Sequence, residues 1–197
     1  MIRLIAQPWW VNLLIMVPPI AYLSWRRNRV PLTLRQLIGS GVFAAAFGFL
    51  EAVVVVYLRA AAGVLPGYQG TLSDVIRLSG TFYQQWQGET THFPQSLLTL
   101  EVFREIATIL MLLSVAFLSS GKSRVSAAVF LWAFAIWDIV YYVALWATVR
   151  WPRSLNDPDV IFLIPVPWFS PVWFPLLVSG LAVAAVLLTR GASTKPR

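Results

Sequence analysis

An all-α, polytopic helical membrane bundle of about five transmembrane helices is the fold this sequence predicts, on three observations. Hydrophobic residues make up 58% of the chain and charged ones 12%, about half the ~25% charge of an ordinary soluble domain; mean hydropathy is +0.72. Several apolar runs approach or exceed the roughly 20 residues that cross a bilayer, and they are continuous rather than alternating at period two, which excludes a transmembrane barrel. The lysines and arginines fall between these runs in an uneven distribution that sets an orientation. The 197 residues read as a single integral membrane domain with spans near 8–25, 37–62, 97–118, 125–149 and 160–188, and an outer loop over 63–96.

Only Arg3 precedes the first run, whereas Arg26, Arg27, Arg29 and Arg35 follow it. A cleaved signal has the opposite layout, so this run reads as a retained anchor whose start is outside. Pro18 and Pro19 are expected to kink it. The second run opens with Gly39, Gly41, Ala44 and Gly48, small residues that let a neighbouring helix approach closely. Glu51 lies in its middle and Arg59 near its far end, where the side chain is placed to snorkel to the outer interface. The outer loop carries scattered aromatics, a short interfacial helix expected over 74–79, and His92.

The third run, LLTLEVFREIATILMLLSVAFL, carries Glu101, Arg104, Glu105 and Thr108 at steps of three and four, hence on one helical face. The fourth has Asp138 at its centre, followed by Tyr141 and Tyr142 at hydrogen-bonding spacing. A turn, RWPRSLNDPD, leads to the last run. Its first half holds Pro165, Pro167, Pro171 and Pro175, so an irregular or re-entrant start is expected, with a regular helix from about Val172. Irregular backbone at that depth persists only where protein or a water-filled cavity satisfies it.

With the start outside, the cytoplasmic side holds Arg26, Arg27, Arg29, Arg35, Lys122, Arg124, Arg190, Lys195 and Arg197, against Arg3, Arg77, Arg150 and Arg153 outside. That places the carboxyl terminus in the cytoplasm of a multi-pass protein of the inner (plasma) membrane. The formal charge of +7 belongs to helix ends and forms no patch, so acidic membrane lipid is the implied partner and nucleic acid is not. The ten tryptophans read mostly as a membrane belt.

Cysteine is absent, which excludes disulfides, thiolate-bound metal and thiol nucleophiles. A single histidine excludes haem held by paired imidazoles, and no span carries a lysine for a Schiff base. No H-E-x-x-H, Gly-rich phosphate loop or G-x-S-x-G occurs.

What does stand out is acid at membrane depth. From the rise per residue, Glu51 and Glu105 lie about 12 Å below the outer boundary, Asp138 about 15 Å and Glu101 about 6 Å. An isolated ionisable group at mid-bilayer costs about 2.5–3.5 kcal/mol, so mutual pairing is expected. Three chemistries fit. In the first, Glu51, Glu101, Glu105 and Asp138 ligate a divalent cation, with Mg²⁺, Mn²⁺ or Ca²⁺ preferred for an oxygen-rich site, Glu105, Asp138 and Arg104 acting on a lipid-soluble or extracytoplasmic substrate, and His92, Tyr141, Tyr142 or Asp159 as accessories. The second is a transporter or channel component for protons or cations, which implies a homo-oligomer. In the third, the charges form a structural ion-pair network in a subunit of a larger membrane complex. The bland alternatives are a salt-bridge cluster for Glu101, Arg104 and Glu105, packing for the tyrosines, an exposed loop residue for His92 and a simple turn for Asp157 and Asp159.

The segments FGFLEAVVVVYLR, LEVFREIATILML, WDIVYYVAL and WPRSLNDPDVIFLIPVPWFSPV resemble an uncharacterised prokaryotic family of small polytopic integral membrane proteins. The likeness spans about residues 40–180 and is carried by Glu51, Glu101, Arg104, Glu105, Asp138 and Asp159. It implies a small integral membrane protein and no particular activity.

Overall fold

The computed structural model describes residues 5–61 and 95–191. A 3-10 segment, Trp9–Met16, runs on into α1 (Val17–Trp25) and is followed by α2 (Leu34–Ala61), α3 (Gln95–Ser119) and α4 (Ser123–Val149). A two-stranded antiparallel hairpin, β1 (Pro158–Phe162) and β2 (Trp168–Pro171), then precedes α5 (Trp173–Thr189). Three stretches are long and apolar enough to cross a membrane: Leu34–Tyr57, Thr99–Ser119 and Ser123–Val149. Trp9–Trp25 and Trp173–Thr189 are shorter apolar helices. His92 and the helix expected over 74–79 lie outside the described residues, as does the side chain of Arg59.

Local chemistry sets the element ends. Asn12 closes the turn before the first segment, accepting the Ala6 N–H at 3.0 Å and donating to the Ala6 and Trp9 carbonyls. Pro18 and Pro19 sit in the first turn of α1, where a missing N–H costs nothing. The bend expected there is a change from 3-10 to α geometry. The second helix starts before Leu37 because Thr33 and Gln36 form a capping box: the Gln36 side chain accepts the Thr33 N–H at 2.9 Å, and Thr33 Oγ1 accepts the Gln36 N–H at 3.2 Å. At the end of α4, Arg150 takes the left-handed conformation, φ 57°, with Pro152 just beyond to block continuation.

The proline-rich stretch is a local exception to the helical fold. Where an irregular start was expected, β1 and β2 pair Pro158 with Pro171, Asp159 with Ser170 and Val160 with Phe169, with a bulge before Phe162 opposite Trp168. Pro165 and Pro167 occupy the turn, which needs no ladder donor. Gln7 bonds Phe169 in both directions, at 2.8 and 2.7 Å, so the outer edge of β2 is also occupied.

Helix α4 lies at the centre, packed on α2, α3 and α5. It comes close to α2 at Gly48, where a Cβ would sit 2.5 Å from the Trp137 carbonyl oxygen and 3.2 Å from the Tyr141 nitrogen. Ala44 is fully buried on the same face, whereas a Cβ on Gly39 would meet nothing, so only part of the small-residue stripe is an interface. The tryptophan belt is also corrected: among the described tryptophans only Trp9 and Trp146 are exposed. Trp25, Trp137 and Trp151 are core residues: Trp137 packs on Phe162 of the hairpin, Trp151 on Tyr142 of α4, and Trp25 among Val30, Leu32 and Val125 at the far end of the bundle.

Candidate functional site

The contact at Gly48 fixes where the polar groups meet. Glu51 is one turn beyond Gly48 on α2, and Asp138 is next to Trp137 on α4. Counted along the helices from the ends nearest the hairpin, Glu51, Glu105 and Asp138 all lie about 15 Å deep. They line one polar pocket of about 70 Å³, together with Glu101, Arg104, Thr108, Tyr141, Tyr142 and Asp159. The remaining wall is apolar, formed by Trp137 and by Val160 to Leu163 of the hairpin.

The pocket has two halves. In the first, the Arg104 guanidinium pairs with Glu51 across the α2–α3 contact, and its Nη2 lies 2.6 Å from Glu101 Oε1. Thr108 donates to the other Glu51 oxygen at 2.5 Å. Glu51 and Thr108 are buried, at 5% and 2% exposure. One guanidinium thus serves two carboxylates, one from its own helix and one from the next.

Acid predominates in the second half. Both oxygens of Glu105 accept the backbone N–H of Leu163, at 3.1 and 2.9 Å. Asp138 accepts from the Ser179 hydroxyl of α5 at 2.7 Å, and Asp159 of β1 accepts from the Tyr142 hydroxyl at 2.8 Å. Glu105, Asp138, Asp159, Tyr142 and Ser179 are all buried. Asp138 and Asp159 line the same pocket. Five carboxylates line the pocket, and Arg104 is the one cationic side chain among its described lining residues.

Several sequence-based assignments change in detail. Tyr142, expected to bond Asp138 within its own helix, instead bonds Asp159, because the hairpin lays that carboxylate against the phenol while the short Asp138 side chain faces α5. Asp157 stays in its turn, accepting the Arg153 and Ser154 N–H groups at 2.8 and 3.0 Å. Asp159, two residues on, faces into the pocket. Two partners carried no usable sequence signal. Ser179 reads as one more small residue in an apolar run, and the Leu163 N–H is backbone, invisible to any side-chain pattern.

Among the described residues, no group of three or more His, Cys, Asp or Glu side chains is gathered as it would be around a metal ion. Each carboxylate is directed instead to a protein donor. Comparison with protein-family models, with curated proteins and with solved structures finds no match.

Proposed function

We propose that this is a five-crossing protein of the inner (plasma) membrane, amino terminus outside and carboxyl terminus cytoplasmic, whose outward-opening acidic pocket binds a divalent cation and acts on a lipid-soluble or extracytoplasmic substrate. Two buried carboxylates met by uncharged donors, Glu105 by the Leu163 N–H and Asp138 by the Ser179 hydroxyl, carry the reading. Buried charge without a counter-ion costs several kcal/mol per group, and a cation at Glu105 and Asp138 would offset it. Mg²⁺ or Mn²⁺ fits better than Ca²⁺. Mg²⁺ is held by one or two carboxylates plus waters, whereas Ca²⁺ gathers six to eight oxygens, and these acids do not converge that far. Glu105 and Asp138 would be the main ligands or bases, with Asp159 beside them.

The five crossings draw support from length. The 3-10 geometry of Trp9–Met16 rises about 2.0 Å per residue, which stretches the seventeen-residue Trp9–Trp25 segment to about 30 Å, the thickness of the hydrocarbon core. Helix α5 spans about 25 Å, and the hairpin above it fills the remaining depth. Apolar side chains such as Phe117, Leu118, Phe103 and Val42 are exposed at 65% or more on α2 and α3, as lipid-facing residues are.

Mn²⁺ binding followed by paramagnetic resonance, on purified protein in phosphatidylcholine nanodiscs, tests the cation. Saturable binding is expected, lost in Glu105→Ala and in Asp138→Ala; equal binding by all three proteins sinks the reading. The Arg104–Glu51–Glu101 cluster favours a second reading for that half of the pocket. It is a fixed ion-pair network that sets the α2–α3 register, and a Glu101→Gln protein that binds Mn²⁺ normally would agree with it.

A further inference from the structure

A second cavity, of about 350 Å³, lies beside the polar pocket, within the ~300–1,000 Å³ typical of small-molecule sites. It runs between α1, α4 and α5 under the hairpin, and its walls are almost wholly apolar, from Val17 and Phe134 to Val178 and Ala182. Val17, one of those walls, is 45% exposed. Helix α3 contributes Ile109 to the lining but packs mainly on α4 and hardly on α1. The cavity therefore reaches the apolar exterior of the bundle between α1 and α3.

Its position gives it meaning. Asp138, Ile161 and Phe162 line both cavities, so a single layer of side chains separates an apolar chamber from an acidic one. Asp138 and its donor Ser179 lie at that junction. Trp137, 7% exposed, lines the polar side, and its indole N–H is a buried donor with no acceptor among the described residues. An occupant spanning both chambers needs an apolar chain and a small head. That head has to donate to a carboxylate and accept from an indole N–H. An ammonium has no lone pair to accept with, and a phosphate would stand against the buried Asp138 carboxylate with Arg104 already paired to Glu51 and Glu101. A hydroxyl does both.

We infer that the two cavities together form the site for a long-chain alcohol, alkyl or isoprenoid, its chain among Phe134, Val178 and Ala182 and its hydroxyl between Asp138 and the Trp137 N–H. This rests on the acidic pocket being the functional site and names the class of its substrate. The test uses a diazirine-bearing alkyl alcohol photolysed with the full chain in phosphatidylcholine nanodiscs. Labelling is expected at the cavity walls, competed by dodecanol and not by dodecyl phosphate, and about tenfold weaker in Val178→Trp. Trp137→Phe, which keeps the ring and removes the N–H, is expected to weaken dodecanol competition about fivefold while leaving dodecane competition unchanged. Labelling spread over lipid-facing positions such as Leu110 and Phe117, or a Trp137→Phe protein that competes like the parent, overturns the assignment. Mn²⁺ binding measured on the same samples separates the two ideas. Its absence, with alcohol labelling intact, removes the cation and leaves the alcohol site standing.

Discussion

Arg104 holds the most exacting position in the molecule. Its guanidinium is shared by Glu51 on α2 and Glu101 on α3, so its loss strands the buried Glu51 carboxylate and takes one partner from Glu101. Breaking a buried pair by removing one partner costs about 3–5 kcal/mol. Arg104→Ala is therefore expected to destabilise by about that amount in detergent unfolding, and Glu51→Gln in the same chain should restore part of it, since no stranded anion then remains on α2. If the double variant is no more stable than Arg104→Ala, the stranded Glu51 anion is not what the single substitution costs. Glu105 makes a different demand, because its partner is the backbone of Leu163. A glutamine keeps an acceptor there and an alanine does not. Hydrogen exchange at the Leu163 amide should rise about five- to tenfold in Glu105→Ala over Glu105→Gln; equal rates would mean that the carboxylate does not hold the hairpin.

The α2–α4 contact is the element on which the site depends. A methyl on Gly48 would run into the Trp137 carbonyl and push the helices apart one turn from Glu51. Gly48→Ala should destabilise by about 1–3 kcal/mol. Gly39→Ala, in open space on the same helix, should be neutral or stabilising by up to about 1 kcal/mol. Thermal unfolding of the two proteins side by side checks the contrast. These helices were legible in the sequence because a run of twenty apolar residues has few other destinations, and the acids because charge at that depth is conspicuous. The hairpin was not legible. Four prolines announce only that a helix is impossible, and the Gln7 backbone that meets Phe169 comes from 162 positions away along the chain. For the same reason Asp159 reads from sequence as an accessory candidate with a simple turn as its alternative, and Ser179 as packing. Their partners, Tyr142 for Asp159 and Asp138 for Ser179, emerge only when a separate element is laid against α4.

At the scale of the whole molecule, the charge asymmetry and the packing bear on one arrangement. Ties at the end opposite the hairpin are made by arginines to backbone carbonyls: Arg124 donates to the Ser24 and Asn28 oxygens at 3.1 and 2.9 Å, and Arg190 to Leu32 at 2.9 Å. Cations that cap exposed carbonyls there also put positive charge where the acidic leaflet is expected. With no native cysteine in the chain, single cysteines report topology without background. Gly121, in the turn between α3 and α4, has open space around it, and Asn156 is exposed beside the hairpin. The two sit at opposite ends of α4, about 40 Å apart along its axis. In intact cells a membrane-impermeant maleimide should label Asn156→Cys and spare Gly121→Cys until the membrane is permeabilised. The reverse pattern would turn the pocket toward the cytoplasm and remove the extracytoplasmic substrate. Labelling of both from outside would mean that α4 does not cross, and that its buried Asp138 answers to protein packing alone.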